Sequence, residues 1–335
     1  MPLLPPAIKS DATIGYFSSS SPATATAPRR YQRARAYLKA QGYQLVSGQL
    51  AGQQDFYRSG TIHARAAELN ALIRDPKIDV VMATIGGSNS NALLPYLDYE
   101  ALRARPKVII GYSDVTSILL AIYQRAGLVT FYGPALVSTF GEFEPLVGHS
   151  HECFRALLSG GGHAPYRYTL PEEWSDERLD WESQERAKRC QPNRCIFHGA
   201  GSVEGRIIGG NLNTMWSLWG SPYMPEIREG DILLLEDSYK NIATVERLFM
   251  FLRLNGIFDR VSAILLGKHE QFDDQGSGRS PFDVLQEVLD GQLLPIVEGF
   301  DACHTHPILT VPLGVRGRID FDHGQVELIE ACLSE

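Results

Sequence analysis

The feature that most constrains this chain is the alternation of short apolar runs with helix-patterned segments over its first 140 residues. "ATIGYF", "YQLVSG", "KIDVVMATIGG" and "KVIIGYSD" are strand-like runs rich in Ile, Val and Tyr. Between them, "RRYQRARAYLKAQG" (29–42), "TIHARAAELNALIRD" and "VTSILLAIYQRAG" place apolar residues at helical spacing. Gly42 suits the left-handed position that closes a helix, and Pro95 interrupts "NALLPYLDYEALRARP". Strands apolar on both faces need cover on both faces. The alternation therefore predicts an α/β fold in which residues 1–150 form a parallel-sheet, flavodoxin-like domain. Ligands of such sheets gather at the carboxyl ends of the strands, which puts "TIGGSNSN" (84–91) and "GYSDV" (111–115) on one edge.

Past residue 150 the pattern changes. Residues 158–195 are polar, rich in Gly and Pro, and without clean periodicity, so 151–200 is expected to be a linker and a loop that covers a binding site. Order resumes with "VEGRIIGGNLNTMWSLWG", "GDILLLEDS", "ATVERLFMFLRLNG" and "VSAILLGKH". Residues 201–335 are expected to form a mixed α/β domain rich in strands, ending in a hairpin that turns at His323-Gly324.

A length of 335 residues allows two cores, and 44% hydrophobic with 21% charged residues is the composition of a globular protein. The net charge of −8 argues against a protein that grips phosphate backbones, so no nucleic-acid polymer is expected as partner. The first residues lack a basic segment leading into an apolar stretch, and no run approaches the roughly 18 apolar residues of a membrane span. No membrane partner and a cytoplasmic location are expected. Five cysteines at irregular spacing fit reduced thiols, and Cys190 and Cys195 lack the second pair of a zinc pattern, so no metal is expected.

Ser113 stands where an apolar strand turns into a helix. A serine there is most often an N-cap, and it is also where a nucleophile is displayed. The hydrolase elbow G-x-S-x-G would place glycine where this chain has Val115, which disfavours a lipase-type fold but not a nucleophilic serine. The Asp114 N–H, at a helix start, is suited to developing negative charge. Gly86-Gly87 allows close backbone approach, as a second oxyanion donor or as a plain turn with Ser88 or Asn89 capping the next helix. Glu236-Asp237 ends an apolar strand, where a carboxylate orients a histidine or pairs with Lys240. His304 and His306 lie two apart among turn-forming residues, with no third metal ligand beside them.

Taken in order, "IGGSNSNALLPYLDY", "GYSDVTSILL", "GGNLNT", "LLLEDSYKN" and "HTHPILTVPLG" resemble the serine peptidase family of LD-carboxypeptidases. Within it they resemble the branch of microcin C self-immunity proteins, over about residues 12–331. The resemblance implies a Ser-Glu-His triad of Ser113, Glu236 and His304, with His306 at the variable position of H-T-x-P as a bystander. It implies oxyanion donors at Asp114 and at Gly86 or Gly87, no metal or organic cofactor, and a homodimer. The substrate it implies is a small peptidyl- or aminoacyl-nucleotide whose amide to a phosphoramidate is cleaved. Trp181 in "RLDWES" is then expected to stack on the nucleobase, or to anchor its loop. Lys240, Asn213 and Asn211 are expected to contact the substrate, with an ion pair as the other reading of Lys240. The alternatives are a murein tetrapeptide LD-carboxypeptidase releasing D-alanine and a nucleotide-binding module without catalysis. Cys303 departs from the small residue the resemblance implies before His304. The triad members come from distant segments, so the site is expected in a cleft between the two parts of the chain.

Overall fold

The computed structural model describes residues 2–159 and 164–334. Five parallel strands, β1 (Thr13–Phe17), β2 (Gln44–Ser47), β3 (Val80–Ala83), β4 (Val108–Gly111) and β5 (Thr130–Tyr132), lie in the order β5-β4-β3-β1-β2. All residues of β3 and β4 are buried, as continuous apolar runs require. Helices Pro28–Ala40, Ile62–Arg74 and Thr116–Ala126 pack on this sheet. Pro28 sits in the first turn of its helix, where a missing N–H costs nothing. Pro95 falls inside a short 3₁₀ segment, Ser90–Tyr96, ahead of the helix Tyr99–Ala104, so the interruption read from the sequence is present.

A second sheet is built on four parallel strands, β6 (Ser202–Asn211), β7 (Ile232–Glu236), β8 (Ala263–Gly267) and β9 (Ile296–Phe300). Strand β10 (Val311–Leu313) follows, then β11 (Arg316–Asp320), antiparallel to β6, and β12 (Gln325–Leu328), its hairpin partner across the predicted turn. Short segments Tyr166–Arg167 and Ile196–His198 complete its two edges.

Two features differ from the expectation. Strand β10 does not join the second sheet; it pairs antiparallel with β5, so the first sheet has six strands and is not purely parallel. Its residues Val311 and Leu313 are fully buried there, and the added strand covers an edge that β5 would otherwise expose. The expected boundary at residue 150 is crossed by one helix, Leu146–Ser159, whose Phe154, Leu157 and Leu158 are buried. Its Gly and His content disguised that helical spacing.

The carboxyl ends of the two sheets meet at Gly210, which has φ of 141°. A Cβ there would lie 2.9 Å from Thr116 Oγ1 and 3.1 Å from the Tyr132 ring. Only glycine allows that approach. The next residue's N–H, of Asn211, donates to Thr116 Oγ1 (3.1 Å).

Candidate active site

Ser113 lies in a single 3₁₀ turn, Ser113–Val115, between β4 and the helix Thr116–Ala126. Its φ is 64°, in the left-handed region that a non-glycine residue occupies only when its surroundings force it. The N-cap reading fails: the caps are Tyr112 and Val115, and neither supplies a side-chain hydrogen bond. The glycine that makes the turn possible precedes the serine. A Cβ on Gly111 would lie 2.8 Å from Val115 Cγ1 and 3.0 Å from Ala83 Cβ, so Gly111 accommodates the β-branched Val115.

The turn after β3 closes against this elbow. A Cβ on Gly86 would sit 2.7 Å from Ser113 Cβ, and one on Gly87 (φ 147°) would sit 2.2 Å from Ser20 Oγ. The Asp114 carboxylate accepts from the N–H groups of Asn89 (2.9 Å) and Ser90 (2.8 Å) and from Ser90 Oγ (2.7 Å). It thereby caps the Ser90–Tyr96 segment from across the sheet edge, a task the sequence had offered to Ser88 or Asn89. Among the described residues, the N–H groups of Gly86, Gly87 and Asp114 meet no acceptor. Backbone N–H groups left without an acceptor in this way are available to an anion.

Glu236 ends β7 and is fully buried. Its Oε1 accepts from Tyr132 Oη (2.7 Å) and Asn211 Nδ2 (2.9 Å), and its Oε2 from the His304 N–H (3.1 Å) and His304 Nδ1 (2.5 Å). A carboxylate bonded to Nδ1 fixes the tautomer and leaves Nε2 as the free ring acceptor. Burial works to raise the Glu236 carboxyl, but the charge and hydrogen bond of His304, with the bonds from Tyr132 and Asn211, outweigh it and hold the group below the usual carboxylate range. For His304, burial works against the imidazolium, and Glu236, aided by the charges of Glu270 and Asp237, holds the group above its ordinary value. A Cβ on Gly267 would lie 2.8 Å from Glu236 Cβ and 2.9 Å from Cys303 Cβ, so β8 must carry glycine beside this pair.

Ser113 and His304 line one cavity of about 830 Å³ between the two sheets, with Gly86, Gly87 and Tyr112. The Tyr112 ring stands edge-on to His304 at 5.0 Å. Among the described residues no hydrogen bond joins Ser113 Oγ to His304; the link between the two halves runs through Tyr132. Its hydroxyl accepts from the Ser113 N–H (3.4 Å) and donates to Glu236. A second cavity of about 780 Å³, lined by Pro307 and Leu309, holds none of the candidate residues.

Residues Glu177–Glu182 of the polar excursion form one wall of the site cavity, Trp181 among them. The guanidinium of Arg30 stacks on the Trp181 ring at 4.6 Å. Arg30 is fully buried and fixed by Glu142 Oε2 (3.0 Å), Gln184 Oε1 (2.6 Å) and the carbonyls of Val137 and Ser138. Trp181 is thus anchored by Arg30 and lines the cavity.

The remaining candidates are placed less directly. Asn211 is spent on structure: Oδ1 accepts from Thr214 N–H, capping the helix Leu212–Leu218, and Nδ2 serves Glu236 and Asp237. Its amide is thereby engaged within the protein. Lys240 Nζ donates to the Ser238 carbonyl (3.1 Å) and pairs with Asp237 (3.5 Å), and the Asn213 N–H donates to Asp237 (3.1 Å). The cavity wall nearest them in sequence is Ser238–Tyr239. His306 is buried, with Nε2 on the Ser138 carbonyl (3.0 Å) and Nδ1 on Lys188 Nζ (3.3 Å). Burial pushes the Cys303 thiol up to about 12, which removes it as a nucleophile.

Sequence reasoning missed Tyr132, Arg30, Lys188 and Glu270. Tyr132 carried a signal, an aromatic hydroxyl at the carboxyl end of a buried strand; the others carried none, since charged residues read as solvated until the fold buries them.

A serine on a forced turn, facing a carboxylate–histidine pair across two α/β sheets, is the arrangement of a serine peptidase. Residues 14–133 match the N-terminal domain of the LD-carboxypeptidases and residues 204–319 match their C-terminal domain, and the chain belongs to that family. The microcin C7 self-immunity protein MccF of Escherichia coli is 55% identical over 335 residues, covering 99% of this chain and 97% of its own. A Vibrio cholerae protein with a provisional carboxypeptidase name is 61% identical over 315 residues, 94% of each chain. The structure of MccF in complex with aspartyl sulfamoyl adenosine matches with a TM-score of 0.98 at 56% identity, covering 99% of this chain and 100% of that one.

Proposed function

We propose that this protein hydrolyses the amide joining an aminoacyl or peptidyl group to a nucleotide phosphoramidate, inactivating microcin C-type toxins. The observation that carries the reading is the 2.5 Å Glu236–His304 contact, opening on the same cavity as Ser113 beneath the Trp181 wall. Ser113 Oγ attacks the carbonyl while His304 Nε2 takes its proton, and Glu236 stabilises the imidazolium. The N–H groups of Asp114 and of the Gly86-Gly87 turn hold the oxyanion, each worth about 3–4 kcal/mol. The C–N bond breaks, the leaving nitrogen takes the proton from His304, and water then cleaves the acyl-serine by the reverse path. No step calls on a metal or organic cofactor.

The relatives support the substrate class. MccF has been seen with glutamyl sulfamoyl guanosine as well as with the aspartyl adenosine compound, and with adenosine monophosphate in a variant whose tryptophan is replaced by phenylalanine. A further MccF structure is described as an active-site mutant in which a serine, an asparagine and a lysine become alanine, residue types supplied here by Ser113, Asn213 and Lys240. In this reading Trp181 stacks on the nucleobase, and Asn213 and Lys240 reach the substrate beside the Ser238–Tyr239 wall. A homodimer belongs to the same proposal, and light scattering at micromolar concentration measures it.

The deciding experiment offers the purified protein aspartyl sulfamoyl adenosine and a murein tetrapeptide in parallel. Release of aspartate with sulfamoyl adenosine, abolished in Ser113→Ala and His304→Ala, is expected. Release of D-alanine alone would replace the nucleotide substrate with the murein one, and turnover surviving both substitutions would remove the triad.

A further inference from the structure

Among the described residues the buried carboxylates have their donors in place, Asp231 from Arg206 and the Arg228 N–H and Glu327 from Arg167 and Arg318. Glu236 has four, Asp114 three from the Asn89-Ser90 turn, Glu68 the N–H groups of Ser18 and Leu50, and Glu142 those of Arg30, Gln184 and Phe143. Asp237 takes Asn211, Asn213 and Lys240, and Asp301 takes Lys268 and Asn193. Glu270, half-buried, has no such donors. It follows β8, its backbone is held by the Tyr239 N–H (2.8 Å), and its side chain lines the site cavity. Among the described residues its carboxylate accepts no hydrogen bond and joins no salt bridge.

A half-buried carboxylate that lines a ligand cavity and has no donor from the protein is open to a cationic ligand. Of the two side-chain cations lining the same cavity, Lys188 is turned to His306 Nδ1 and Arg178 lies over the Tyr239 ring. Burial, only partly offset by His304 and Lys188, raises the Glu270 carboxyl, while Asp176 and Glu236 add to the excess of negative charge around it. The other carboxylates lining the cavity have donors, Glu177 from Arg186 and Arg189, Asp180 from Ser183 and Glu182 from the Arg29 N–H, so Glu270 is the one a ligand's cation would complete.

Resting on the aminoacyl-nucleotide reading above, we infer that Glu270 binds the substrate's α-ammonium group. That group sits on the carbon bonded to the scissile carbonyl, so with the carbonyl at Ser113 the ammonium lies in the cavity that Ser113, His304 and Glu270 all line. A peptidyl substrate carries an uncharged amide at this position. The assignment makes Glu270 the residue that distinguishes a free aminoacyl-nucleotide from its N-acylated or peptidyl form.

The test compares aspartyl sulfamoyl adenosine with its N-acetyl derivative, on the unaltered enzyme and on Glu270→Gln and Glu270→Asp. The unaltered enzyme is expected to prefer the free amine in kcat/KM. Glu270→Gln is expected to raise KM for the free amine by about tenfold to a hundredfold, the range of a charge-assisted hydrogen bond, and to leave the N-acetyl compound unchanged. Glu270→Asp should restore part of the preference. Equal losses on both compounds, with a shifted acid limb in the pH profile, would mean that Glu270 acts only through His304 and would overturn the assignment. No loss on either compound would overturn it as well. Failure of the unaltered enzyme to cleave either compound would instead overturn the functional reading, and this inference with it.

Discussion

Gly86 stands so close to Ser113 that a methyl group added to it would lie 2.8 Å from the serine Oγ and 3.0 Å from the Asp114 nitrogen. The contact joins two sequence-distant turns into one surface. Gly86→Ala must push one of them back. A displacement of about 1 Å at a reacting centre costs on the order of 100-fold in rate, and that loss in kcat is expected with a folded protein by circular dichroism.

The left-handed conformation of Ser113 stores energy that the fold supplies. Holding a non-glycine residue there costs about 1–2 kcal/mol. Ser113→Gly should therefore abolish hydrolysis and still raise the stability measured by urea unfolding, by up to about 1 kcal/mol after glycine's larger chain entropy is subtracted. A stability loss of similar size would show that the turn is not strained.

Glu236→Gln keeps the shape of the triad and removes its charge. By the behaviour of serine peptidases whose orienting carboxylate is neutralised, kcat should fall about 10⁴-fold. His304 acts as a base only when neutral, so the acid limb of kcat/KM is set by its raised value and lies above the ordinary imidazole value of about 6.5. In Glu236→Gln the limb should move to lower pH. Stability follows the same signs: the contribution of His304 is whole below the ordinary imidazole value and fades as pH rises through the raised one. That of Glu236 is whole above its ordinary value and fades as pH falls through the depressed one. The difference in Tm between wild type and Glu236→Gln should therefore be widest in the acidic range between the two.

Arg30 is fully buried, as is its partner Glu142, and it carries Trp181 on its outer face. Arg30→Met leaves Glu142 without its cation. Breaking such a buried pair from one side costs about 3–5 kcal/mol, readable by denaturant unfolding. The tryptophan should lose its support as well, raising KM for nucleotide substrates.

Trp181→Ala tests the wall directly. Base stacking on an aromatic ring is worth about 1–3 kcal/mol, so KM for aspartyl sulfamoyl adenosine should rise between about fivefold and about 150-fold with kcat retained. An unchanged KM would return Trp181 to a purely anchoring role.

Most of the architecture was legible because it rests on local pattern. The runs around β3 and β4 declare buried parallel strands, and Ser113, Glu236 and His304 stand at strand ends or turns where the fold collects its ligands. What escaped was non-local. Strand β10 reads as a segment of the C-terminal part, and only the open edge of β5 explains where it goes. Asn211 has the residue type of a ligand contact, and only the packing of β6 against β7 shows its amide consumed by Glu236 and Asp237. No periodicity reveals the burial of Arg30 or the place of Glu270 in the cavity.

The placement of β10 bears on how anything enters the site. Within a few residues the chain passes from a strand of the first sheet, through Gly314, whose N–H donates to Ile207 of β6, into β11 of the second. This short stitch, together with the Gly210 contact, prevents the two halves from swinging apart like a pair of jaws. Of the cavity's lining, the Glu177–Glu182 wall belongs to neither of these joined sheets.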